Sequence, residues 1–323
     1  MSNRVMPVQR VLNTFKLAGG VSLLICVALV LMALPGVQLK APAPTWLLLD
    51  RHNRFLAQAG AQETTGYGYW PVDDLPNRVV AATLALEDQR FWHHPGVDPI
   101  AIGRALWQNL RHGRRISGAS TIAMQVARMQ QPGPRTYSRK ATEAVTAVLL
   151  TWRYGRETVL RHYLRIVPYG NRYHGIVYAA RRYLDKPVID LSWAEIAFFT
   201  AIPQAPGRMN PFDDRGRWRA VQRGSRILTA LHQHDVIDDL ELALAQKQIV
   251  HLNIPRRQSR DRLVLHAIFK LEPLLRQDQT RWTASSQARI KTTLDLELQK
   301  QVADMAQRAL QGWQADGAEQ TAV

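Results

Sequence analysis

The stretch Leu84–Asp98, LALEDQRFWHHPGVD, decides how the rest of the chain is read. Val79, Ala82 and Leu86, with Thr83 beside them, repeat at helical spacing. A helix is therefore expected over 77–92, stopped by Pro95 and Gly96. Glu87 and Asp88 fall near its end, against apolar packing rather than on a solvated face. A carboxylate in low-dielectric surroundings suits proton transfer near neutral pH. Phe91, Trp92, His93 and His94 follow at once. Alone, the stretch fits two structures: the wall of an active site, or a helix C-terminus with an ordinary ion pair.

Charge narrows the partner. The 323-residue chain carries a net +16, concentrated between Ile100 and Arg182, where 15 Lys and Arg face only Glu143 and Glu157. Such a field favours an anionic partner: nucleic acid, a phosphorylated substrate or an anionic membrane. The single cysteine, Cys26, excludes a disulfide within the chain.

Arg4, Arg10 and Lys16 precede Leu17–Val37, which has no charge and is long enough to cross a bilayer. The preceding positives put the N-terminus in the cytoplasm and the rest outside. A cleaved signal peptide is the alternative, but the apolar run is long for one. An outward-facing, anchored chain speaks against nucleic acid.

Beyond the Ala41–Pro44 spacer, Trp46–Leu56 reads as two short strands around the turn 50–53. Tyr67–Leu75 and His251–Arg262 read as irregular. Helices are expected at 77–92, 99–112, 119–130, 138–152, 156–165, 174–184, 192–201 and 217–231, with a capping box at Ser192 and Glu195. A strand over Arg289–Thr293 and a helix capped by Asp295, with Leu298, Val302, Met305 and Ala309 on one face, follow.

Two more clusters carry chemistry. In Ser117–Arg128, SGASTIAMQVAR, small residues feed a helix N-terminus at Ser120 and Thr121. Its free N–H groups and hydroxyls suit phosphate or sugar oxygens, or make a plain N-cap. Gln125 and Arg128 lie one and two turns on. In Ser138–Glu143, Arg139 and Lys140 share a helix face with Glu143. In isolation that is an exposed ion pair worth about 0.3–0.5 kcal/mol. Zinc-site spacings, a phosphate-binding GxxxxGK[ST] loop, GxSxG, Ser-x-x-Lys and Lys-Thr-Gly are all absent from the sequence.

In this order, the clusters resemble the glycosyltransferase family 51 domain of peptidoglycan synthases, found in class A penicillin-binding proteins and monofunctional transglycosylases. Glu87, Asp88, Phe91, His94, Gly96, Val97 and Asp98 match the family's first motif in full. Gly118, Ser120, Thr121, Ile122 and Gln125 match the second, with departures at Ala119, Ala123 and Met124. Arg139, Lys140 and Glu143 match the third. Tyr163-Leu164, Tyr169-Gly170, Gly175, Tyr183 and the run from Glu195 to Pro211 resemble later motifs, with Arg161 and Arg165 as departures. Met124 and the Gly66–Pro71 stretch GYGYWP are closest to the penicillin-binding protein 1C branch.

The resemblance implies a mostly α, lysozyme-like glycosyltransferase domain behind an N-terminal transmembrane helix, with a small β-hairpin at its start. The substrate would be lipid II, polymerised to β-1,4 glycan with inversion and release of undecaprenyl diphosphate. Glu87 would be the general base, and Glu143 the second catalytic carboxylate. Asp88, Phe91, His94, Ser120, Thr121, Gln125, Arg128, Arg139 and Lys140 would bind substrate, the cations among them neutralising the diphosphate. Glu143 would orient those cations or help hold a divalent cation, Mg2+ or Mn2+, at the diphosphate; no protein metal ligands are assigned. Partners would be lipid II, the growing glycan, the bilayer and other cell-wall synthesis proteins. The chain would sit in the inner membrane with its catalytic domain in the periplasm.

The expected organisation is a basic segment at 1–16, an anchor at 17–37, a linker and hairpin at 38–76, the glycosyltransferase domain at 77–238, a helical linker at 239–288 and the start of a transpeptidase-type domain at 289–323. Without Ser-x-x-Lys, no transpeptidase activity is expected. Two other functions compete: a non-catalytic remnant that binds lipid II or cell-wall partners, favoured by the departures, and a lysozyme-like hydrolase.

Overall fold

The computed structural model describes Leu24 and residues 27–40, 46–59, 72, 76–113, 118–254, 264–277, 289–314 and 317. The basic N-terminus, residues 17–23, 25 and 26 of the 17–37 run, the stretch GYGYWP, Ser117 and the basic stretch after Ile254 lie outside the described residues. Residues 27–33 are helical and end in a 3-10 turn at Leu34–Gly36. Among the described residues, no helix is long and apolar enough to cross a membrane.

The fold is mostly helical, and the chain forms two compact units, residues 1–40 with 83–163 and residues 41–82 with 164–323. The first unit receives the last turn of α1 (Asn77–Glu87), then α2 (Pro99–His112), α3 (Ile122–Gln130), α4 (Tyr137–Tyr154) and most of α5 (Arg156–Ile166). Local chemistry sets these ends. Asp98 caps α2 by accepting from the N–H groups of Ile100 and Ala101, and Gly113 closes it at φ 60°. Thr121 and Thr136 cap α3 and α4 through the N–H groups of Met124 and Arg139. The apolar side of α3, from Ile122 to Ala127, is buried along α4.

α1 ends at Glu87, not at 92, and Phe91–His93 form a separate 3-10 turn. The helix stops because the Asp88 carboxylate is drawn into bonds with distant residues, described below. α3 likewise begins at Ile122 rather than at 119, since Thr121 is extended and serves as its cap.

In the second unit, α6 (Ile176–Leu184), α7 (Trp193–Ala201), α8 (Asp214–Gln233) and α9 (Asp239–Val250) precede α10 (Leu265–Gln277) and α11 (Leu296–Trp313). α7 is buried on every side from Ala194 to Ala201 and packs on α8 and α9. Its capping box forms, with Ser192 and Glu195 reciprocally bonded. The expected hairpin, β1 (Trp46–Leu49) and β2 (Phe55–Ala59), is antiparallel and gains a third strand, β3 (Arg289–Lys291), parallel to β1. Trp46, Leu48, Leu56, Val264 and Ile290 form its core. Asp50 lies fully buried at the turn and accepts from the N–H groups of His52, Arg54 and Leu296. Its carboxyl also pairs with Arg54 Nε at 2.7 Å. Asp295 caps α11 as expected and takes Arg54 Nη2 at 3.1 Å.

Candidate active site

All the expected site residues belong to the first unit. Asp88 and His94 are its internal pin. His94 Nε2 lies 2.9 Å from Asp88 Oδ1, and Asp88 Oδ2 accepts from the Ile122 N–H at 3.0 Å. The Gly96 N–H donates to His94 Nδ1 at 3.1 Å, so the neutral ring carries its proton on Nε2 and gives it to Asp88. Asp88 thereby satisfies one of the orphan N–H groups at the start of α3. Thr121 Oγ1 donates to Gly96 O at 2.6 Å, and Arg156 Nε donates to His94 O at 2.9 Å. Gly96 sits at φ 109°, where an added Cβ would collide with the Ala147 carbonyl of α4.

This network is buried: Asp88 is 7% exposed, Thr121 3%, and Phe91 and His94 2% each. Phe91 packs edge-on against Trp92 at 4.9 Å. The polar atoms of Asp88, His94 and Thr121 are engaged within the protein. These side chains hold the wall on which Glu87 stands.

Glu87 itself is half-buried and borders an open cleft of about 330 Å³, with Arg90, Asp98, Arg104 and Gln108 also on its walls. Its Oε2 accepts from Gln125 Nε2 at 2.8 Å. Arg90 Nε lies 3.3 Å from Asp98 Oδ2, an ion pair without hydrogen-bond alignment. A larger groove of about 900 Å³ continues past Gly118, Ala119 and Ser120, which line both spaces. The groove is lined by apolar side chains, Ile102, Leu106 and Leu110 of α2 and Met124 of α3, and by the cations Arg128, Arg135, Arg139 and Lys140. Among its described lining residues Glu143 is the carboxylate.

The first turn of α4 carries Arg139 and Lys140 and no acid. Cations at a helix N-terminus oppose the helix dipole, so α4 gains no stability from this placement. Arg139 Nε lies 3.8 Å from Glu143 Oε1. Among the described residues, no group of three or more His, Cys, Asp or Glu side chains is placed to hold a metal ion. A lone carboxylate beside a guanidinium does not make a cation site, so the residues present do not fit a protein-held divalent ion.

A family model described as transglycosylase matches residues 53–232, more than half of the chain. The chain belongs to the transglycosylase family. Among curated relatives, the chain is 34% identical over 236 residues to penicillin-binding protein 1C of Escherichia coli K12, covering 73% of its own length and 29% of the relative's. It is 35% identical over 189 residues to penicillin-binding protein 1A of Aquifex aeolicus, covering 58% and 25%. The crystal structure of penicillin-binding protein 1A from Haemophilus influenzae overlaps it with a TM-score of 0.38 at 18% identity, over 84% of this chain and 29% of that one. The chain thus spans under a third of the length of these curated relatives.

The departures from the family motifs have physical settings. Ala123 is fully buried in α3 and removes nothing from the groove. Arg161 pairs with Glu157 at 2.9 Å. In the second unit, burial lowers the pKa of Arg165, which sits at the C-terminal end of α5, where a cation complements the helix dipole. Arg90, Arg104 and Gln108 line the Glu87 cleft, and Arg135 and Tyr137 the groove, and the sequence motifs do not mark them. The turn before Phe91 places Arg90, the helical register of α2 places Arg104 and Gln108, and Arg135 and Tyr137 flank the cap at Thr136.

Proposed function

We propose that the chain polymerises lipid II into β-1,4-linked glycan with inversion, releasing undecaprenyl diphosphate. One observation carries this reading: the Glu87 cleft and the groove of Arg128, Arg139 and Lys140 share Gly118, Ala119 and Ser120, and apolar side chains line that groove beside the cations. An amphiphile with a concentrated negative charge fits that groove, and a nucleophile needing deprotonation fits the Glu87 cleft.

In this mechanism Glu87 takes the proton from the 4-hydroxyl of the acceptor GlcNAc. That oxygen attacks the anomeric carbon of the lipid-linked strand, and the bond to the diphosphate breaks. Arg128, Arg139 and Lys140 stabilise the charge that gathers on the leaving oxygen, in an apolar groove where such contacts act strongly. Glu143 keeps Arg139 aligned. Gln125 fixes the Glu87 carboxylate, and Asp88, His94 and Thr121 fix the backbone that bears it.

The same reading places the chain at the outer face of the inner membrane, with the 17–37 run as anchor. Support comes from α2, where Leu106 and Trp107 are each 59% and Leu110 74% exposed, with Arg111 stacked over Trp107 at 5.2 Å. An apolar row with basic neighbours is the pattern of a helix lying in a membrane interface.

Product analysis tests the proposal. Detergent-purified chain incubated with lipid II should yield long, lysozyme-sensitive strands and free undecaprenyl diphosphate. Binding of lipid II with no product would instead support a non-catalytic lipid II-binding remnant, and cleavage of preformed glycan a hydrolase.

A further inference from the structure

Residues 131–136, QPGPRT, join α3 to α4. A Cβ built on Gly133 would lie 2.6 Å from Arg139 Nη1, 2.8 Å from its Cζ and 3.3 Å from its Nε. The Arg139 guanidinium therefore fills the space that a side chain at 133 would take. Its Nε is buried and makes no hydrogen bond, and Glu143 Oε1 lies 3.8 Å away. An ion pair at that distance, without hydrogen-bond alignment, leaves the guanidinium free to rotate. Contact with the bare Gly133 backbone is a second restraint on it.

The loop is the stiffer of the two partners. Pro132 and Pro134 flank Gly133 and lock their own φ angles, and Pro134 also confines Gly133 to extended backbone. The Gln131 N–H donates to Ala127 O and the Thr136 N–H to Pro134 O, both at 3.1 Å. Thr136 Oγ1 then accepts from the Arg139 N–H at 3.2 Å. Gly133 does not have a positive φ, so no left-handed turn calls for glycine here. Alanine can adopt the same backbone, and what its methyl meets is the guanidinium. Arg139 has room to swing, because it lines both the groove and a smaller cavity shared with Met32, Gln131 and Thr142. A methyl at 133 thus moves the side chain and not the loop.

We propose that Gly133 is a positioning residue for the reaction: its missing side chain is what lets the Arg139 guanidinium lie where it faces the leaving diphosphate. Gly133 acts through Arg139 and lines neither the cleft nor the groove. The inference rests on reading the groove as the diphosphate site.

A double-mutant cycle tests it with wild type, Gly133→Ala, Arg139→Ala and the double variant. Steady-state polymerisation of lipid II and thermal unfolding are measured on all four. The Arg139 Nε–H resonance, identified by its loss in Arg139→Ala, is compared between wild type and Gly133→Ala. Gly133→Ala lowers kcat/KM about tenfold or more and shifts the resonance. It does not lower Tm, since alanine on a compatible backbone restricts the unfolded chain. The double variant has the kcat/KM of Arg139→Ala, because the methyl has no guanidinium left to displace, whereas independent effects multiply. Wild-type kcat/KM in Gly133→Ala, a multiplied loss in the double variant, or a lowered Tm overturns the proposal. A wild-type chain that makes no glycan removes the groove reading instead. The resonance then decides alone, a shift supporting the placement of Arg139 by Gly133 and an unmoved signal overturning it.

Discussion

Gln125 Nε2 donates to Glu87 Oε2 at 2.8 Å, so a side chain one turn into α3 holds the carboxylate that ends α1. The donor can only be the amide N–H, which leaves the carboxylate as acceptor and restricts its rotation. Gln125→Ala should lower kcat for lipid II polymerisation about 10- to 100-fold, the cost of misplacing a base by about an ångström. Gln125→Glu should be worse, since two carboxylates would face each other. Thermal unfolding of both variants should stay near wild type.

The Asp88–His94 pair is a stability element. Its charge-assisted hydrogen bond is buried, and Asp88 also takes the Ile122 N–H. His94→Ala leaves a buried carboxylate short of a donor and should destabilise the unit by about 2–3 kcal/mol. Chemical denaturation would show the loss as a lower midpoint.

Lys140 is exposed on α4, its N–H donates to Thr136 O at 3.0 Å, and its ammonium makes no hydrogen bond or ion pair with the described residues. Lys140→Ala should therefore leave Tm unchanged while lowering kcat/KM about 100-fold or more, as removal of one preorganised charge from a transition-state site does. A parallel loss of Tm and activity would count against an electrostatic role.

Acid should loosen the three-stranded sheet first. Burial alone would raise the Asp50 pKa, but the N–H groups of Arg54, His52 and Leu296 and the Arg54 guanidinium outweigh it and hold it at about 2, against an ordinary 3.8. A carboxyl depressed in the folded state stabilises fully above its unfolded value and loses that contribution as pH falls toward the folded one. The window runs from about pH 4 down to about pH 2. Tm measured across that range should fall more steeply in wild type than in Asp50→Asn, whose side chain does not titrate.

Much of this was legible in the sequence. The spacing of Arg139, Lys140 and Glu143 fixes them on one turn of helix, and Ser192 with Glu195 announces the capping box that forms. What was hidden depends on distance along the chain. The end of α1 at Glu87 follows from Asp88 bonding residues 6 and 34 positions away, which no local pattern records. β3 joins β1 across more than two hundred residues, so the strand was readable and its partner was not. Phe91 and His94, expected from the motif to bind substrate, are each 2% exposed, whereas Asp88 and Thr121, though buried, line the Glu87 cleft, because a motif does not record which way a side chain faces.

In the proposed mechanism Glu87 removes the acceptor proton. Polymerisation of lipid II by the wild-type chain and by Glu87→Gln, with lipid II binding measured on both, tests it most directly. A base at Glu87 gives long glycan strands from wild type, a loss of about 1,000-fold or more in Glu87→Gln, and nearly equal binding. Glycan synthesis by Glu87→Gln at a rate near wild type would contradict it.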